Sequence, residues 1–384
     1  MGGVGRNTRV CRKQRKRIAC VGGNVNVNVM VFDVPAESGG ALSVLHEFHA
    51  EVMGSQLDSV NWFFVLSSPK LCEGQNVKVL NYPWVKKSWL HRIYFDCFIA
   101  PQLIKQYSID RIFSLQNVLV PRTSVPQVLY IHQSLPFVEF RFSFTESRLL
   151  WVYQNVIGRM MFRSMRMAEK VIVQTEWLRN EGAKIANIPR EKIFVVRPAI
   201  NSEYTTLYEN IRRNSTTFFY PASAIVYKNH KIIIEACELL KQQGIDDYSV
   251  ILTLRGDEDG HIRRLSEAVL ENSLPVRFVG PLLRQEVFSY YAQSVLLFPS
   301  FIETFGLPML EAALIGSPII AADTPVAREV LDGYPNTHFF DCFDYRELAL
   351  IMRKMVSGEF EYIYRAPSGF RNAKQTLVEH VLHK

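Results

Sequence analysis

Two glutamates stand on either side of a short loop that contains glycine and proline. Glu303 and Glu311 lie in the segment SVLLFPSFIETFGLPMLEAALIGSPIIAAD. Glycine at 306 lets a ligand approach the backbone closely, and Pro308 favours the start of a helix. Free N–H groups at a helix start bind anions, so the backbone from Gly306 to Met309 predicts a phosphate site. The two carboxylates would accept hydrogen bonds from hydroxyl groups. A phosphate flanked by polyols, as in a sugar nucleotide, would satisfy both kinds of group.

A structural explanation of the same two glutamates also remains open. Glu311, which this pattern places in the first helical turn, would complement the helix dipole by about 0.3–1 kcal/mol. Glu303 would then be a solvated loop residue. The spacing alone does not separate the two explanations.

A lysine between a strand and a helix is a further candidate. Lys228 stands in FFYPASAIVYKNHKIIIEACELL, residues 218–240. A cation beside a departing diphosphate would stabilise the charge that develops there. The alternative is a solvated lysine at the helix start.

The first half of the chain offers weaker signals. His132 ends the apolar stretch VLYIH, where a lone histidine is usually structural. Gly39 and Gly40 follow Ser38 between a strand and a helix, where an ordinary tight turn is the frequent meaning. They are not part of a G-x-G-x-x-G pattern, which argues against a dinucleotide-dependent dehydrogenase.

No metal site is predicted. The acidic run from Asp257 to Asp259 follows a predicted strand, so we interpret it as the solvated start of a helix. The six cysteines contain no close pair, so neither zinc binding nor a disulfide framework is indicated and a reducing cytoplasm fits best.

The elements that must position these residues alternate between short apolar strands and helices. This order predicts an α/β fold of two doubly wound, Rossmann-like domains with parallel sheets that face each other across a cleft. Strands are predicted at 29–34, 62–68, 77–82, 111–115, 126–132 and 170–175, and then at 216–222, 249–256, 276–280, 294–300, 317–323 and 337–341. Helices are predicted at 41–53, 88–106, 229–243, 259–271, 284–292, 308–315 and 344–357.

The chain divides into four predicted parts. Residues 1–17 form a basic flexible tail, and 18–198 form the first domain. Residues 199–369 form the second domain, beginning with the polar linker 201–215, and 370–384 form a terminal segment that packs back on the first domain. No apolar run of about 18 residues predicts a spanning helix.

The net charge of +7 comes from the tail, which has seven basic residues and no acidic residue. The rest has 37 basic and 37 acidic residues (44 − 7 against 37), and nothing in it suggests nucleic-acid binding. Within it, residues 18–198 carry about +5 (19 basic, 14 acidic) and 199–384 about −5 (18 basic, 23 acidic). The tail resembles the start of a signal peptide, but Asn24, Asn26 and Asn28 interrupt the apolar region that would have to follow.

The run ETFGLPMLEA, with its two glutamates before a strand that begins SPIIA, resembles the signature of the GT4 family of retaining glycosyltransferases, which have the GT-B fold. The resemblance implies that Glu311 binds the ribose hydroxyls and that Glu303 contacts the donor sugar. The backbone at Phe305, Gly306 and Leu307 would line the sugar and the diphosphate.

The same resemblance gives roles to the other candidates. Lys228 would neutralise the diphosphate, His132 would lie near the donor sugar, and the loop with Gly39 and Gly40 would approach the donor phosphates. Many family members carry an arginine where this chain has Ser223, so more of the diphosphate charge would fall on Lys228.

The activity so implied is sugar transfer from a nucleoside-diphosphate sugar to an acceptor hydroxyl with retained configuration, without a metal or other cofactor. Such enzymes act in polysaccharide and lipid-linked glycan assembly. Within the family, this sequence resembles the bacterial enzymes of capsule, O-antigen and exopolysaccharide synthesis. Two alternatives remain: a non-catalytic subunit that binds the sugar nucleotide, and an epimerase of the same fold.

The implied location is the cytoplasm, at the inner face of the plasma membrane. The basic-aromatic stretches WVKKSWLHRIY (84–94) and RMMFRSMRM (159–167) suit an anionic membrane surface, where each cation adds about 1 kcal/mol. Ordinary solvated helix faces explain them equally well.

Overall fold

The computed structural model describes residues 26–37, 39–55, 57–198, 208, 216–363 and 376–383. The predicted basic tail, Ser38 and nearly all of the linker 201–215 lie outside the described residues.

The first domain is a parallel sheet of seven strands in the order β3-β2-β1-β4-β5-β6-β7. Its strands are β1 (Val27–Asp33), β2 (Val60–Leu66), β3 (Val77–Asn81), β4 (Arg111–Ser114), β5 (Gln127–Tyr130), β6 (Lys170–Val173) and β7 (Ile193–Val195). Its helices are α1 (Gly39–Gly54), α2 (Trp89–Tyr94), α3 (Ala100–Gln106), α4 (Arg148–Val152), α5 (Gly158–Met167) and α6 (Glu176–Ala186).

The second domain repeats this architecture with a parallel sheet of six strands in the order β10-β9-β8-β11-β12-β13. Its strands are β8 (Thr216–Tyr220), β9 (Tyr248–Leu252), β10 (Val276–Phe278), β11 (Val295–Phe298), β12 (Ile319–Ala322) and β13 (Thr337–Phe340). Its helices are α7 (His230–Gln242), α8 (Gly260–Glu271), α9 (Arg284–Tyr291), α10 (Leu307–Ile315), α11 (Pro325–Val330) and α12 (Tyr345–Val356). The predicted α/β class with two doubly wound domains is confirmed.

The predicted strands were recognisable because their apolar runs are buried on both faces of the parallel sheets. The segments of β4, β5, β11 and β12 are buried along their whole length. The predicted helix over 88–106 is continuous but irregular: α2 and α3 are joined by a π-helical turn, Phe95–Ile99. β7 was not predicted, since three residues carry too little pattern.

The end of the chain returns to the first domain as α13 (Leu377–Leu382). The backbone N–H groups of Leu377 and Val378 donate to the carboxylate of Glu51 on α1, at 3.2 and 2.8 Å. Leu377, Val378 and Val381 are buried in the core of the first sheet. A carboxylate at a helix start offsets the unpaired N–H groups there, so α13 is held by both charge and apolar packing.

Two sets of hydrogen bonds join the domains. Glu329 on α11 accepts from the backbone N–H groups of Glu176 and Trp177, at 2.8 and 2.9 Å, and so caps α6 of the first domain. The Thr304 hydroxyl donates to the His132 carbonyl at 3.1 Å, and the Thr175 hydroxyl donates to the Thr304 carbonyl at 3.4 Å. The loop of Glu303 therefore touches the first domain directly.

Candidate functional site

The candidate residues of the second domain follow the carboxyl ends of two neighbouring strands. Lys228 follows β8, while Glu303 and α10 follow β11. Ligands of parallel α/β sheets bind at this edge. The topology therefore gathers residues that are far apart in the sequence.

Lys228 and Glu303 form an ion pair, with Lys228 Nζ 2.5 Å from Glu303 Oε1. Both side chains are largely buried, at 19% and 13% exposure, and the lysine Nζ lies 5.8 Å from the centre of the Tyr227 ring. The Tyr220 hydroxyl donates to the Lys228 carbonyl at 2.8 Å, which fixes the turn that carries the lysine. The ion pair therefore has a defined position at the edge of the sheet, and neither side chain is freely solvated.

Glu311 is the fifth residue of α10 and so lies in the second turn; its placement in the first turn was wrong. Glu311 is buried, so it is not a solvated residue that merely complements the helix dipole. Arg284 Nη2 lies 2.8 Å from Glu311 Oε1, and the Tyr291 hydroxyl donates to Oε2 at 3.2 Å. Burial raises the pKa of Glu311, and the Arg284 cation and the Tyr291 hydroxyl oppose that rise.

Gly306 is the residue before α10 and has a φ of +80°, a conformation that glycine adopts without strain. Pro308 is the second residue of the helix, where its missing N–H costs nothing. Phe305 is buried in the domain core, and Leu307 is half-buried. The Met309 N–H donates to the Gly306 carbonyl at 3.0 Å, so the predicted anion site loses this donor.

His132 follows β5 and meets the Glu303 loop through the Thr304 contact. Burial lowers the pKa of its imidazole to about 4, so the ring is neutral near pH 7. Its backbone N–H donates to the Asn117 side chain at 2.8 Å. The structure brings the His132 backbone to the site without showing a contact between its ring and Glu303.

Gly39 and Gly40 begin α1, after β1, and both are exposed with open space around them. Gly39 has a φ of +61°. They lie at the carboxyl edge of the first sheet, as His132 does, but no described contact joins them to the second domain. Ser223, where the resemblance leads one to expect arginine, is exposed.

Asp257 to Asp259 form a helix start, as interpreted from the sequence. Asp259 caps α8 by accepting from the backbone of His261 and Ile262, and Glu258 accepts from the backbone of Arg255 and Gly256. Within the described parts of the chain, no cluster of three or more histidine, cysteine or acidic residues is placed to hold a metal ion.

Arg284 and Tyr291 are site residues that the sequence did not reveal. They open and close α9, which follows β10, and they reach Glu311 only because α9 packs against α10. The only hint in the sequence was that Arg284 starts a helix at the same sheet edge. That hint is not specific, because any arginine at the start of such a helix would give it.

Comparison with known proteins relates the second domain to a family of enzymes. Residues 208–368 match the family model described as glycosyl transferases group 1. The match covers most of the second domain. The matched range contains Lys228, Glu303, Glu311 and Arg284.

Curated relatives match about half of this chain. O-antigen chain mannosyltransferase B of Escherichia coli is 25% identical over 179 residues, which cover 44% of this chain and 47% of the relative. The chain spans about half the length of the first curated relatives it matches.

Among solved structures, WaaG, a glycosyltransferase involved in lipopolysaccharide biosynthesis, superposes with a TM-score of 0.65 at 14% identity, covering 86% of this chain and 90% of that one. Anabaena Alr3699/HepE in complex with UDP and glucose gives 0.60 at 18% identity, with 87% and 91% covered. These likenesses show the GT-B fold, as the sequence resemblance implied.

Proposed function

We propose that this protein is a retaining glycosyltransferase that moves a sugar from a nucleoside-diphosphate sugar to an acceptor hydroxyl in glycan assembly. The observation that carries the proposal is the Lys228–Glu303 ion pair. Two sequence-predicted residues from separate loops meet there, at the sheet edge where ligands of this architecture bind. The family match and the mannosyltransferase relative support the same class of reaction.

Each group then has a defined task. Lys228 balances the charge that accumulates on the departing diphosphate, with the start of α10 behind it. Glu303 stabilises positive charge on the sugar ring as the bond to the diphosphate breaks. Such a preorganised electrostatic contact typically lowers the barrier by about 2.7–4 kcal/mol. No metal ion is needed in this scheme.

Glu311 binds the ribose. An ionised carboxylate has about four lone-pair sites for hydrogen bonds. Arg284 and Tyr291 use one site on each oxygen. One site on each oxygen remains, which suits two adjacent ribose hydroxyls. The diphosphate and the sugar then lie beside backbone groups of Phe305, Gly306 and Leu307. Gly39, Gly40 and His132 face them from the first domain.

A donor panel tests the proposal. UDP-, GDP- and dTDP-sugars are to be titrated by calorimetry and then followed by NMR for hydrolysis and transfer. We expect one base to be preferred, and the new sugar bond or released sugar to keep the donor's anomeric configuration. Inverted products would contradict the retaining mechanism. Binding without turnover would indicate a partner subunit, and a changed sugar still attached to the nucleotide would indicate an epimerase.

We also propose that the first domain associates peripherally with an anionic membrane, at the cytoplasmic face, where a lipid-linked acceptor would be presented. Trp89, Leu90 and Ile93 on α2 are exposed beside Lys86 and Lys87. On α5, Met160 and Met167 are exposed among three exposed arginines, Arg159, Arg163 and Arg166. Exposed apolar groups beside cations suit a lipid headgroup layer.

Liposome flotation tests the association. None of the helices in the described ranges has the length and apolar character to cross a bilayer. We expect binding to depend on anionic lipid, on α2 and on the lysines just before it, so Trp89→Ser and Lys87→Glu should each reduce flotation. The proposed association would be contradicted if the protein floated equally with neutral and anionic vesicles, or if it did not float with either.

A further inference from the structure

Three phenylalanines from both domains meet beside the Lys228–Glu303 pair. Phe140 comes from the loop after β5, Phe301 precedes Glu303 in the loop after β11, and Phe343 follows β13. The ring centres of Phe140 and Phe301 are 5.2 Å apart, and those of Phe301 and Phe343 are 5.5 Å apart. The Phe140 and Phe343 rings stack at 6.2 Å with 23° between their planes. We call these three rings the aromatic platform.

The platform is fixed to the loop of Lys228 by hydrogen bonds. The Phe301 N–H donates to the Tyr227 carbonyl at 3.2 Å. The Asn229 side chain donates to the Cys342 carbonyl at 2.8 Å, which ties the Phe343 loop to the residue after Lys228. The loops that carry Phe301 and Phe343 are therefore joined to the loop of Lys228.

The strand order places the platform away from the ribose carboxylate. Along the carboxyl edge of the second sheet, Arg284 follows β10 at one end and Phe343 follows β13 at the other. Lys228 and Glu303 lie between, after β8 and β11. A donor whose ribose lies at Glu311 and whose diphosphate lies at Lys228, as proposed, would leave the platform available to the second substrate.

The exposed part of the platform suits a neutral ligand. Phe343 is 66% exposed and Phe140 is 37% exposed, so both rings present apolar surface to solvent. The two carboxylates beside Phe343 accept backbone hydrogen bonds: Asp341 accepts from the Phe343 N–H, and Asp344 caps α12. An exposed apolar surface at a cleft marks a binding groove, and the negative face of an aromatic ring attracts polarised C–H groups.

We infer that the aromatic platform is the acceptor subsite, where a neutral pyranose ring of the glycan acceptor stacks its C–H face on Phe343 and Phe140. This inference rests on the proposed function, because it assigns the second substrate of that reaction. It gives the first domain a direct part in the site, since Phe140 is contributed by that domain.

Saturation-transfer NMR with simple glycosides as probes tests the subsite. The probes are methyl α-mannopyranoside, methyl α-glucopyranoside and methyl β-galactopyranoside, each added to the full chain with UDP or GDP. We expect at least one glycoside to bind through its ring C–H protons. Phe343→Leu keeps an apolar side chain but removes the ring, and should weaken that binding about tenfold, equivalent to ~1.4 kcal/mol. Phe343→Tyr should retain it.

Leu270→Ala is the matched control, because Leu270 is a comparably exposed apolar residue on α8 of the same domain. It should leave glycoside binding unchanged. Binding of no glycoside, or equal binding by wild type and Phe343→Leu, overturns the subsite. So does an equal loss of nucleotide affinity, which would assign the platform to domain packing. Donor hydrolysis measured in parallel tests the proposed function separately, since its absence contradicts that function whatever the effect of Phe343→Leu.

Discussion

At the residue scale, the two candidate carboxylates of the second domain have different partners. Glu303 is paired with a lysine, whereas Glu311 is held between an arginine and a tyrosine hydroxyl. Residue type, spacing and the family resemblance singled out Glu303, Glu311 and Lys228 as candidates, and their roles stay predictions. The partners of Glu311 could not be identified that way, because Tyr291 and Glu311 are 20 positions apart and no local pattern encodes the contact.

The protonation state of Glu311 should govern donor affinity. Burial raises its pKa, and the ionised form accepts hydrogen bonds from the ribose. Nucleotide affinity should therefore be complete above this raised pKa and fall by up to about tenfold per pH unit below it. Calorimetry with UDP and GDP from about pH 5 to about pH 8 measures the midpoint.

Arg284→Met makes that prediction specific. The Arg284 cation opposes the rise in the Glu311 pKa, so its removal should move the midpoint of binding to higher pH. Glu311→Gln should bind weakly with no such midpoint. An unmoved or lower midpoint in Arg284→Met would contradict the role given to this ion pair.

Stability in acid should depend on His132. Burial lowers its pKa from 6.5 to about 4, so the folded chain binds fewer protons than the unfolded chain between these values. The stabilisation is present above about pH 6.5 and is lost as the pH falls to about 4, a change of roughly 3 kcal/mol at most.

His132→Gln should flatten this acid dependence in urea unfolding measured from pH 7 to about pH 4.5. His46→Gln at an exposed position of α1 is the control and should keep the wild-type slope. A slope unchanged by His132→Gln would mean that other groups cause the acid sensitivity.

At the element scale, the start of α10 depends on Gly306. Its φ is +80°, and an added Cβ would lie 2.5 Å from the Met309 side-chain methyl. Gly244 has a similar φ of +75° but open space around it. Gly306→Ala should therefore cost more than the ~1–2 kcal/mol of backbone strain that Gly244→Ala costs.

Thermal or urea unfolding of the two glycine variants measures this difference. Gly306→Ala should also reduce nucleotide affinity, because Gly306 stands at the start of α10 beside the proposed donor site, whereas Gly244→Ala should not. Equal stability and affinity in the two variants would show that the geometry of this turn is not critical.

The sequence predicted the strands and helices well where apolar runs are continuous. It predicted them less well where tertiary packing determines the local structure. Each predicted strand from 29–34 to 337–341 has its counterpart. The π-helical turn within 88–106 and the three-residue β7 were not foreseen, since neither has a pattern of its own. α11 was also not foreseen, although Thr324 caps it and Pro325 opens it.

At the scale of the whole molecule, Glu329 fixes one domain against the other. Its carboxylate accepts two backbone hydrogen bonds from the start of α6, and Arg197 Nη2 lies 3.5 Å from it. No sequence pattern predicted this contact, because it depends on how two separately folded domains face each other. The same interface holds Thr304, the neighbour of Glu303, against His132.

Glu329→Gln should loosen this interface, because an amide offers one oxygen where the carboxylate offers two. We expect a larger radius of gyration by small-angle X-ray scattering and a donor KM several-fold higher, with thermal stability of each domain little changed. Glu235→Gln, which removes only a surface pair with Lys231, is the control. An unchanged radius and KM in Glu329→Gln would mean that the other interdomain contacts suffice.

The most direct test of the central claim is the rate of nucleoside-diphosphate release from the preferred donor by wild type, Glu303→Ala and Lys228→Ala. Folded variants, verified by circular dichroism, should each lose at least about a hundredfold, as expected when one preorganised electrostatic contact is removed. Because the two groups are paired, the double variant should lose much less than the product of the single losses. Near-normal release by folded Glu303→Ala, or no release by wild type from any of the UDP-, GDP- and dTDP-sugars, would contradict the account.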